Sequence, residues 1–344
     1  MITMRKLIMK SDKDLNNDEK WQAVVPYDTR QLAIKECITC YKSNETKLKK
    51  KQITSYNVNY KTKKSPSQTF FVNKNALKNG NLFVRRFKSK KQATLRTRKR
   101  VRKLLNSDSE GDFTIQYHNN KWYVCLLKKQ NEKQTAIYNQ QTYRSVFLDP
   151  GFRNFQSFYS PDGYCGYIDD TYETRCKQLL NKIDALQSFY DKPLWYVNKN
   201  NIKKRIQKSR SKVSDIINDL HWKFANFLCK HFQTILIPSF KTQSMIKKTN
   251  NRKVSSMSSR LCNIYKHYQF RQRLHYIAKK YNSQVVVVTE PYTSKTCGRC
   301  GKIDYLLGGS KTFHCPNCNM VIDRDLNGAR NNGLAYLTIH KATI

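Results

Sequence analysis

The sequence is poor in acidic residues. Its 344 residues include 24 Asp and Glu against 65 Lys and Arg, so the formal net charge is +41. Because so large an excess repels itself in a compact protein, it persists most readily where a polyanion supplies the counter-charge, and in most settings that polyanion is nucleic acid. An acidic small molecule would not need so many cations. The composition therefore predicts a protein that binds nucleic acid.

A long apolar run and a secretory signal are also absent. The longest purely apolar stretch, around Val285 to Val288, is far shorter than the roughly 20 residues that cross a bilayer. The N-terminal MITMRKLIMK has no sustained apolar core and no small-residue cleavage site. We expect an intracellular protein that is not secreted and has no membrane partner. Attachment of a basic surface to a membrane is the alternative that the composition leaves open.

Glycine and proline are scarce, at 11 and 8 residues, and 39% of the residues are hydrophobic. A chain of this composition can bury a core, and its length predicts two or three domains. The cysteines number 11, an odd count in a long chain, which argues against a secreted disulfide framework. Reduced thiols, some of them binding metal, are expected. Cys37 and Cys40 form an isolated CxxC that is expected to be buried on one face of a helix.

A change of composition near residues 138–143 divides the chain. Before it, periodicity predicts a helix at 29–51, alternation predicts short strands within 56–87, and the segments FTIQYH and WYVCLL predict a hairpin. We predict a basic, mixed α+β nucleic-acid-binding module at 1–140 and a second domain at 141–344.

The first module contains a run of positive charge. Eleven cations and no carboxylate occupy the nineteen residues from Arg85 to Lys103. Such runs are often solvated faces or flexible arms. Here Phe87 and the flanking strands interleave aromatic residues with the charge, which favours contact with nucleic-acid backbone and bases. The predicted nucleic-acid-binding residues are Arg85, Arg86, Lys88, Lys90, Lys91, Arg96, Arg98, Lys99, Arg100, Arg102 and Lys103.

The second domain is predicted to be α/β. Three consecutive strands, SVFLD, FQSFYS and YCGYID, precede a helix at 172–190 and a longer amphipathic helix around 213–228. The strand TILIP, an amphipathic helix around 261–277 and the strand QVVVVTE follow. Three antiparallel strands, then helix, strand, helix and strand, are the order of an RNase H-like nuclease domain, although alternating strands and helices suit many α/β folds.

Two CxxC pairs form the strongest local motif. Cys297 and Cys300 in CGRC precede Cys315 and Cys318 in CPNC, with fourteen residues between the pairs. This spacing matches a zinc ribbon, in which each pair lies on a tight turn and four thiolates close a tetrahedral shell. Because a closed shell has no open position, the predicted zinc is structural. Four unrelated buried cysteines are the alternative.

Three carboxylates lie where strands end or a helix begins. Asp149 ends SVFLD before a Pro-Gly turn, Glu290 ends VVVVTE, and Asp325 lies at the predicted start of the last helix. Carboxylates from distant segments are what two divalent ions about 3.5 to 4 Å apart require, one ion assisting the attacking water and the other the leaving oxygen. Magnesium prefers such ligands. Each residue could instead cap a turn, a strand or a helix. Together, in a chain with a net charge of +41, the three carboxylates favour a nuclease.

Three segments carry a family resemblance. LDPGFRNF at 148–155, EPYTSKTCGRCG at 290–301, and FHCPNC with IDRDLNGARN within 313–331 resemble the TnpB transposon-encoded proteins and their eukaryotic and large-virus relatives, the Fanzor proteins. Both groups are similar to type V CRISPR effector nucleases. The resemblance covers residues 140–335 well and the N-terminal half loosely.

The resemblance implies an RNA-guided DNA endonuclease of a transposable element, with a RuvC-like nuclease domain and a zinc ribbon inserted at 291–322. The implied partners are a guide RNA encoded near the transposon end and a double-stranded DNA target, in the nucleus or a viral factory if the source is eukaryotic or viral. The N-terminal module holds the RNA and reads a short motif beside the target. Asp149, Glu290 and Asp325 bind catalytic magnesium, and Asp323 is a neighbour that caps the helix.

The chain departs from the family pattern at two places. In most TnpB proteins a catalytic glutamate follows the strand that corresponds to TILIPSF in this sequence. Here Pro238 occupies the position of that glutamate, and proline cannot bind metal. Glu290 on the next strand would replace it, as in Fanzor-like members. The first 140 residues are also short for the family, which predicts either a compact variant or a truncated product with impaired recognition.

Two alternative functions stay open. One is a TnpB-like protein that binds RNA and DNA but has lost its nuclease activity. The other is a DDE-type transposase, which also uses three carboxylates on an RNase H-like core. No separate helix-turn-helix domain for binding transposon ends is evident in the sequence, which disfavours the transposase.

Overall fold

The structure is a computed structural model that describes residues 10–11, 13–59, 62, 65, 67–78, 80–83, 111–118, 121–127, 141–152, 154–168, 171–192, 198–240, 255–288, 294–308 and 310–340. The chain forms two compact units, Met1–Gln130 and Asn131–Ile344. This division does not decide the functions predicted for residues 1–140 and 141–344, or the limits 291–322 of the insertion, and these stay predictions.

The first unit combines a long helix with a small antiparallel sheet. Its elements are a 3-10 helix (Asn17–Val24), α1 (Tyr27–Lys49), β1 (Ser67–Val72), a second 3-10 helix (Lys74–Ala76), β2 (Leu77–Lys78), β3 (Asn81–Leu82), β4 (Phe113–His118) and β5 (Lys121–Cys125). The sheet has the order β1-β4-β5, and β2 pairs with β3. The predicted helix and the pairing of β4 with β5 are confirmed. The predicted burial of Cys37 and Cys40 is wrong: both are exposed, because α1 buries none of its residues.

The second unit contains the predicted alternation of strands and helices. Its elements are β6 (Tyr143–Pro150), β7 (Gln156–Tyr159), β8 (Cys165–Tyr167), α2 (Thr171–Asp191), α3 (Lys199–His231), β9 (Phe232–Pro238), α4 (Ser256–Tyr265), α5 (His267–Tyr281), β10 (Gln284–Val288), β11 (Thr312–His314), β12 (Val321–Asp323) and α6 (Arg324–His340). One prediction is wrong. The helix expected around 261–277 is two helices, because Lys266 between them has a left-handed φ of 48°.

Five of these strands form one mixed sheet in the order β10-β9-β6-β7-β8. Strand β7 is antiparallel to β6 and β8, whereas β9 is parallel to both β6 and β10. The carboxyl ends of β6, β9 and β10 therefore meet at one edge of the sheet. The central strand β6 is covered on both faces, which accounts for its uninterrupted apolar run.

One face of this sheet supports the larger core. Alternate residues of β6 and β9 point towards the layer of helices α2 to α5, whose apolar stripes cover them. The stripe of α3 that the sequence predicts is buried there. The buried residues of the two strands and of α3 in this core include Val146, Leu148, Ile235, Ile237, Val213, Ile217, Leu220, Phe224 and Leu228.

The opposite face of the sheet is covered by α6. Phe147, Leu236 and Val288 form a small core on this side. Gly333 of α6 lies directly against the Phe147 ring, and a Cβ atom on residue 333 would overlap that ring. Because side chains alternate along a strand, Asp149 lies on the same face as Phe147 and projects towards α6.

All eleven cysteines are free thiols, as the sequence predicts. Among the residues that the structure describes, no helix is both long enough and apolar enough to cross a membrane.

Candidate functional site

Asp149 lies at the carboxyl end of the central strand β6 and is half-buried. The fully buried side chain of Asn332 on α6 donates a hydrogen bond of 3.0 Å to the Leu148 carbonyl and a longer one of 3.4 Å to Asp149 Oδ1. Ser157 of β7 lies opposite Asp149 in the sheet. These contacts hold the end of β6 against α6.

The first turns of α6 approach Asp149 closely. A Cβ atom on Gly328 would lie 2.6 Å from Asp149 Oδ2, so the carboxylate takes this position only because residue 328 has no side chain. Asp325 precedes Gly328 by three residues and therefore lies on the same face of α6. Two of the three predicted carboxylates thus come from distant segments to one junction, between the end of β6 and the start of α6.

Asp323 caps α6. Its Oδ1 accepts hydrogen bonds of 2.9 and 3.1 Å from the backbone amides of Asp325 and Leu326. Strand β12 ends at Asp323 and α6 begins at the next residue. A carboxylate in this position satisfies amides that have no partner within the helix, and it interacts favourably with the helix dipole.

Two groups of predicted site residues lie outside the described residues. They are the third carboxylate, Glu290, and the basic stretch from Arg85 to Lys103. Their assigned roles stay predictions.

The register of the sheet shows which residues share the level of Asp149. Phe147 pairs with Leu236 on β9, so two residues later Asp149 is level with Pro238. Pro238 in turn pairs with Val288 on β10. Pro238 is buried and its side chain offers no ligand atom, so β9 contributes no carboxylate at this level.

Four cysteine sulfurs converge after β10, as predicted. The Sγ atoms of Cys297, Cys300, Cys315 and Cys318 all lie within 4.8 Å of one another. Those of Cys297 and Cys318 are 3.5 Å apart, as are those of Cys300 and Cys315. Four sulfurs bound to a tetrahedral zinc ion at about 2.3 Å would be about 3.8 Å apart. The donor type, number and spacing therefore fit one zinc ion.

Two turns of the same geometry present these sulfurs. In the first, the Cys297 amide donates to the carbonyl five residues later at 2.8 Å, and the Gly301 amide donates back to the Cys297 carbonyl at 3.0 Å. The second turn repeats the pattern with Cys315 and Asn319, at 2.9 and 3.0 Å. Gly301 and Asn319 both have left-handed φ angles, 75° and 55°, a region that glycine and asparagine enter most readily.

The surroundings of the cluster affect its sulfurs differently. Phe313 of β11 is fully buried beside Cys297 and Cys315. Hydrogen bonds from the Asn317 side chain and then from the backbone at Lys302 lower the pKa of the Cys300 thiol to about 6. At Cys318 a backbone hydrogen bond at Met320 is outweighed by burial and by hydrogen bonds to the neighbouring thiols, which raise the pKa of that thiol to about 12. Zinc binding therefore requires the release of a proton there.

Three asparagines of α6 belong to the site, and the sequence analysis assigns no role to them, although the segment IDRDLNGARN contains two of them. Asn327, Asn331 and Asn332 are buried. Asn332 contacts the end of β6, whereas Asn327 and Asn331 contact the first cysteine turn. Composition offers one signal for them: asparagine is a poor helix former, so three in one helix indicate side chains that are used for hydrogen bonds.

Comparison with known proteins places this arrangement in a family. The family model Cas12f1-like, TNB domain matches residues 267–332, from the start of α5 to Asn332. Protein A625R of Paramecium bursaria Chlorella virus 1, named as a candidate transposase, is 26% identical over 326 residues, 93% of this chain and 71% of that protein. TnpB-like protein L79 of Acanthamoeba polyphaga mimivirus is 31% identical over 224 residues, 63% of this chain and 42% of that protein. The chain resembles the TnpB-like proteins in its sequence.

A further relative carries the name of a nuclease. The CRISPR-associated endodeoxyribonuclease Cas12f1 of Sulfoacidibacillus thermotolerans is 26% identical over 129 residues, 37% of this chain and 29% of that protein. The predicted resemblance to TnpB proteins is thereby confirmed, and the family is one of transposon-associated nucleases. The match spans less than half the length of the mimivirus and Cas12f1 relatives. A Fanzor-like assignment in particular stays a prediction.

Proposed function

We propose that this TnpB-like chain is an RNA-guided, magnesium-dependent DNA endonuclease of a transposable element. The observation that carries the proposal is the junction of β6 and α6, where Asp149 meets the turn that bears Asp325. The strand order supports it, since three antiparallel strands followed by two parallel ones form the sheet of an RNase H-like, or RuvC, nuclease domain. On this basis the chain hydrolyses DNA phosphodiesters by a two-metal mechanism.

In this proposal Asp149, Asp325 and Glu290 are the catalytic metal ligands. Val288 is level with Asp149 in the sheet, and Glu290 follows Val288 by two residues in the sequence. Magnesium bound there supplies an activated attacking water and stabilises charge on the leaving oxygen. The carboxylates bind and orient the ions, and Asn332 orients Asp149.

The four cysteines hold a structural zinc ion in a zinc ribbon. Sulfur fills all four positions of a tetrahedral shell, so this zinc takes no part in cleavage. Guide RNA and double-stranded DNA are the proposed partners, and the net charge of +41 supports both. The basic stretch from Arg85 to Lys103 contacts phosphates. The protein then grips backbone and shape, while base pairing selects the sequence.

The test begins with the RNA. The chain is co-expressed with the genomic flank of its gene, purified, and the bound RNA is sequenced. A DNA that matches this RNA is then incubated with the complex. We expect cleavage that needs both the RNA and magnesium. Absence of bound RNA, or cleavage that does not depend on the RNA sequence, would contradict the proposal that RNA directs cleavage.

Pro238 favours a second candidate function. It offers no ligand at the level of Asp149 on β9, where most TnpB proteins provide a glutamate. A chain in which Glu290 does not substitute for that residue would bind RNA and DNA without cutting. Substitution Glu290→Ala distinguishes the candidates: it abolishes cleavage if Glu290 is the third ligand, whereas an inactive wild type with tight, RNA-dependent DNA binding supports the second candidate.

A further inference from the structure

Helix α6 meets both candidate metal sites through two of its faces. Gly328 and Asn332 lie on the face against β6, and Asp325 shares that face because it precedes Gly328 by three residues. Asn327 and Asn331 form a second face, roughly a third of a turn away round the helix axis. This second face meets the first cysteine turn.

Asn327 binds the backbone on both sides of Cys297. Its Oδ1 accepts a hydrogen bond of 3.1 Å from the Gly298 amide, and its Nδ2 donates one of 2.8 Å to the Thr296 carbonyl. Asn331 Nδ2 donates to the same carbonyl at 2.6 Å. Both asparagines are buried. Loss of Asn327 removes the acceptor of the Gly298 amide, and loss of Asn331 removes one of the two hydrogen bonds to the Thr296 carbonyl. Contacts from α6 therefore set the position of Cys297.

Gly298 lets the helix come this close. A Cβ atom on residue 298 would lie 2.9 Å from Asn331 Oδ1 and 3.0 Å from Asn327 Oδ1. These distances are shorter than ordinary van der Waals contacts, so a larger residue at 298 would push the first cysteine turn away from α6. Gly298 within CGRC therefore permits the close contact between the first cysteine turn and α6.

The second cysteine turn is joined to α6 through the chain itself. Cys315 and Cys318 lie between β11 and β12, which pair with each other, and β12 runs directly into α6 after Asp323. A metal bound by all four sulfurs therefore ties together two turns that are both anchored on α6, one by asparagines and one by β12. Closing this ring of contacts restrains the first turns of the helix.

We propose that Asn327 and Asn331 are positioning residues that couple the metal of the cysteine cluster to the carboxylate site. When the four sulfurs share a metal, the first cysteine turn is fixed, and the two asparagines fix the turns of α6 that bear Asp325 and Gly328. Without that metal these turns are restrained less, and Asp149 and Asp325 bind divalent ions more weakly. The inference rests on the proposed function, because it takes these two carboxylates as metal ligands.

The test measures Mn²⁺ affinity by calorimetry on the full chain, with zinc bound and after zinc removal. The Asp149→Ala variant is measured first, and this substitution should abolish Mn²⁺ binding. Zinc removal should weaken Mn²⁺ binding by the wild type about tenfold, a typical size for coupling between sites. The effect of zinc should disappear in the Asn327→Ala/Asn331→Ala variant, whose Mn²⁺ affinity should be low throughout.

Gly298→Ala and Gly308→Ala provide a matched pair. The first should weaken Mn²⁺ binding as the asparagine variant does. The second should not, since no atom lies within 4 Å of a Cβ on Gly308. By linkage, Mn²⁺ should raise the zinc affinity of the wild type by the same factor, and this rise should disappear in the asparagine variant.

The outcomes separate this inference from the proposed function. If Asp149→Ala binds Mn²⁺ as the wild type does, the proposed function fails, and hydrogen exchange of residues 324–332 decides the coupling. Exchange should rise when zinc leaves the wild type and should already be high in the zinc-loaded asparagine variant, and unchanged exchange would overturn the inference. If Asp149→Ala abolishes binding but the asparagine variant keeps wild-type Mn²⁺ affinity, the positioning role is overturned and the proposed function stands.

Discussion

The Oδ2 atom of Asp149 lies 2.6 Å from the point that a Cβ atom on Gly328 would occupy. The carboxylate and any side chain at 328 therefore compete for one space, and glycine leaves that space to the carboxylate. Because Asp325 lies one turn earlier on the same helix face, this glycine allows two carboxylates from distant parts of the chain to share the junction of β6 and α6.

Substitution Gly328→Ala should displace the Asp149 carboxylate and slow cleavage. A misplacement of about 1 Å at a reacting group can lower the rate about 100-fold, and we expect a loss of at least that order in single-turnover cleavage. Gly308→Ala is the control, because its Cβ atom would meet nothing within 4 Å. Equal losses in the two variants would show that the Asp149 contact is not the cause.

Substitution Gly333→Ala should lower stability without touching the carboxylates. The new methyl group would overlap the buried Phe147 ring, and overpacking of a core typically costs about 1 to 3 kcal/mol. Phe147→Leu should relieve part of this cost. In urea unfolding, the double variant should therefore be more stable than the sum of the two single effects predicts. Strict additivity would mean that the two residues do not compete for space.

Two buried histidines should make the stability of the second unit depend on pH. Burial lowers the pKa of His221 to about 4 and that of His267 to about 3, whereas an unfolded chain titrates near 6.5. Between these values the unfolded state binds more protons. The free energy of unfolding should therefore fall as the pH drops from about 6.5 towards 4, by up to about 1.4 kcal/mol per pH unit for each histidine.

Urea unfolding at pH 7.5, 6 and 5 measures this dependence. His267→Gln should be less stable than the wild type at pH 7.5, because His267 packs between Phe155 and Phe240, but its stability should fall less steeply with acid. His118→Gln, at an exposed position of β4, should keep the wild-type slope. If the stability of His267→Gln falls with acid as steeply as that of the wild type, this histidine is not a source of the pH dependence.

Binding to RNA should be strongly sensitive to salt. Each phosphate that a cation neutralises releases counterions, so with several contacts the affinity should fall about a thousandfold or more between about 50 and 200 mM salt. Fluorescence anisotropy with the identified guide RNA measures this. Arg98→Gln/Arg100→Gln should lower the salt slope by about one for each phosphate contact that is lost. A flat response in the wild type would remove the reason for assigning a polyanionic partner to the +41 charge.

Features that arise from spacing along the chain could be predicted from the sequence. The two CxxC pairs converge as their spacing requires, and the strands and helices of the second unit follow the hydrophobic periodicity. The break at Lys266 and the exposure of Cys37 and Cys40 depend on tertiary packing, which periodicity does not contain.

The same distinction between sequence spacing and tertiary contact applies to the candidate site. Asp149 and Asp325 could be identified because one ends an apolar strand and the other begins a helix. The asparagine that holds Asp149 lies 183 residues away in sequence. Gly298 and Gly328 are required only because another segment occupies the space beside them. Contacts of this kind become visible only when distant segments are brought together.

The central hypothesis is that Asp149 and Asp325 bind the ions used to cut DNA. The most direct test is single-turnover cleavage of guide-matched DNA, over a range of magnesium concentrations, by the wild type, Asp149→Asn and Asp325→Asn. RNA affinity is measured on the same preparations, since these substitutions preserve side-chain size. We predict magnesium-dependent cleavage by the wild type and none by either variant, with RNA affinity unchanged. Cleavage by either variant at the wild-type rate would contradict the assignment.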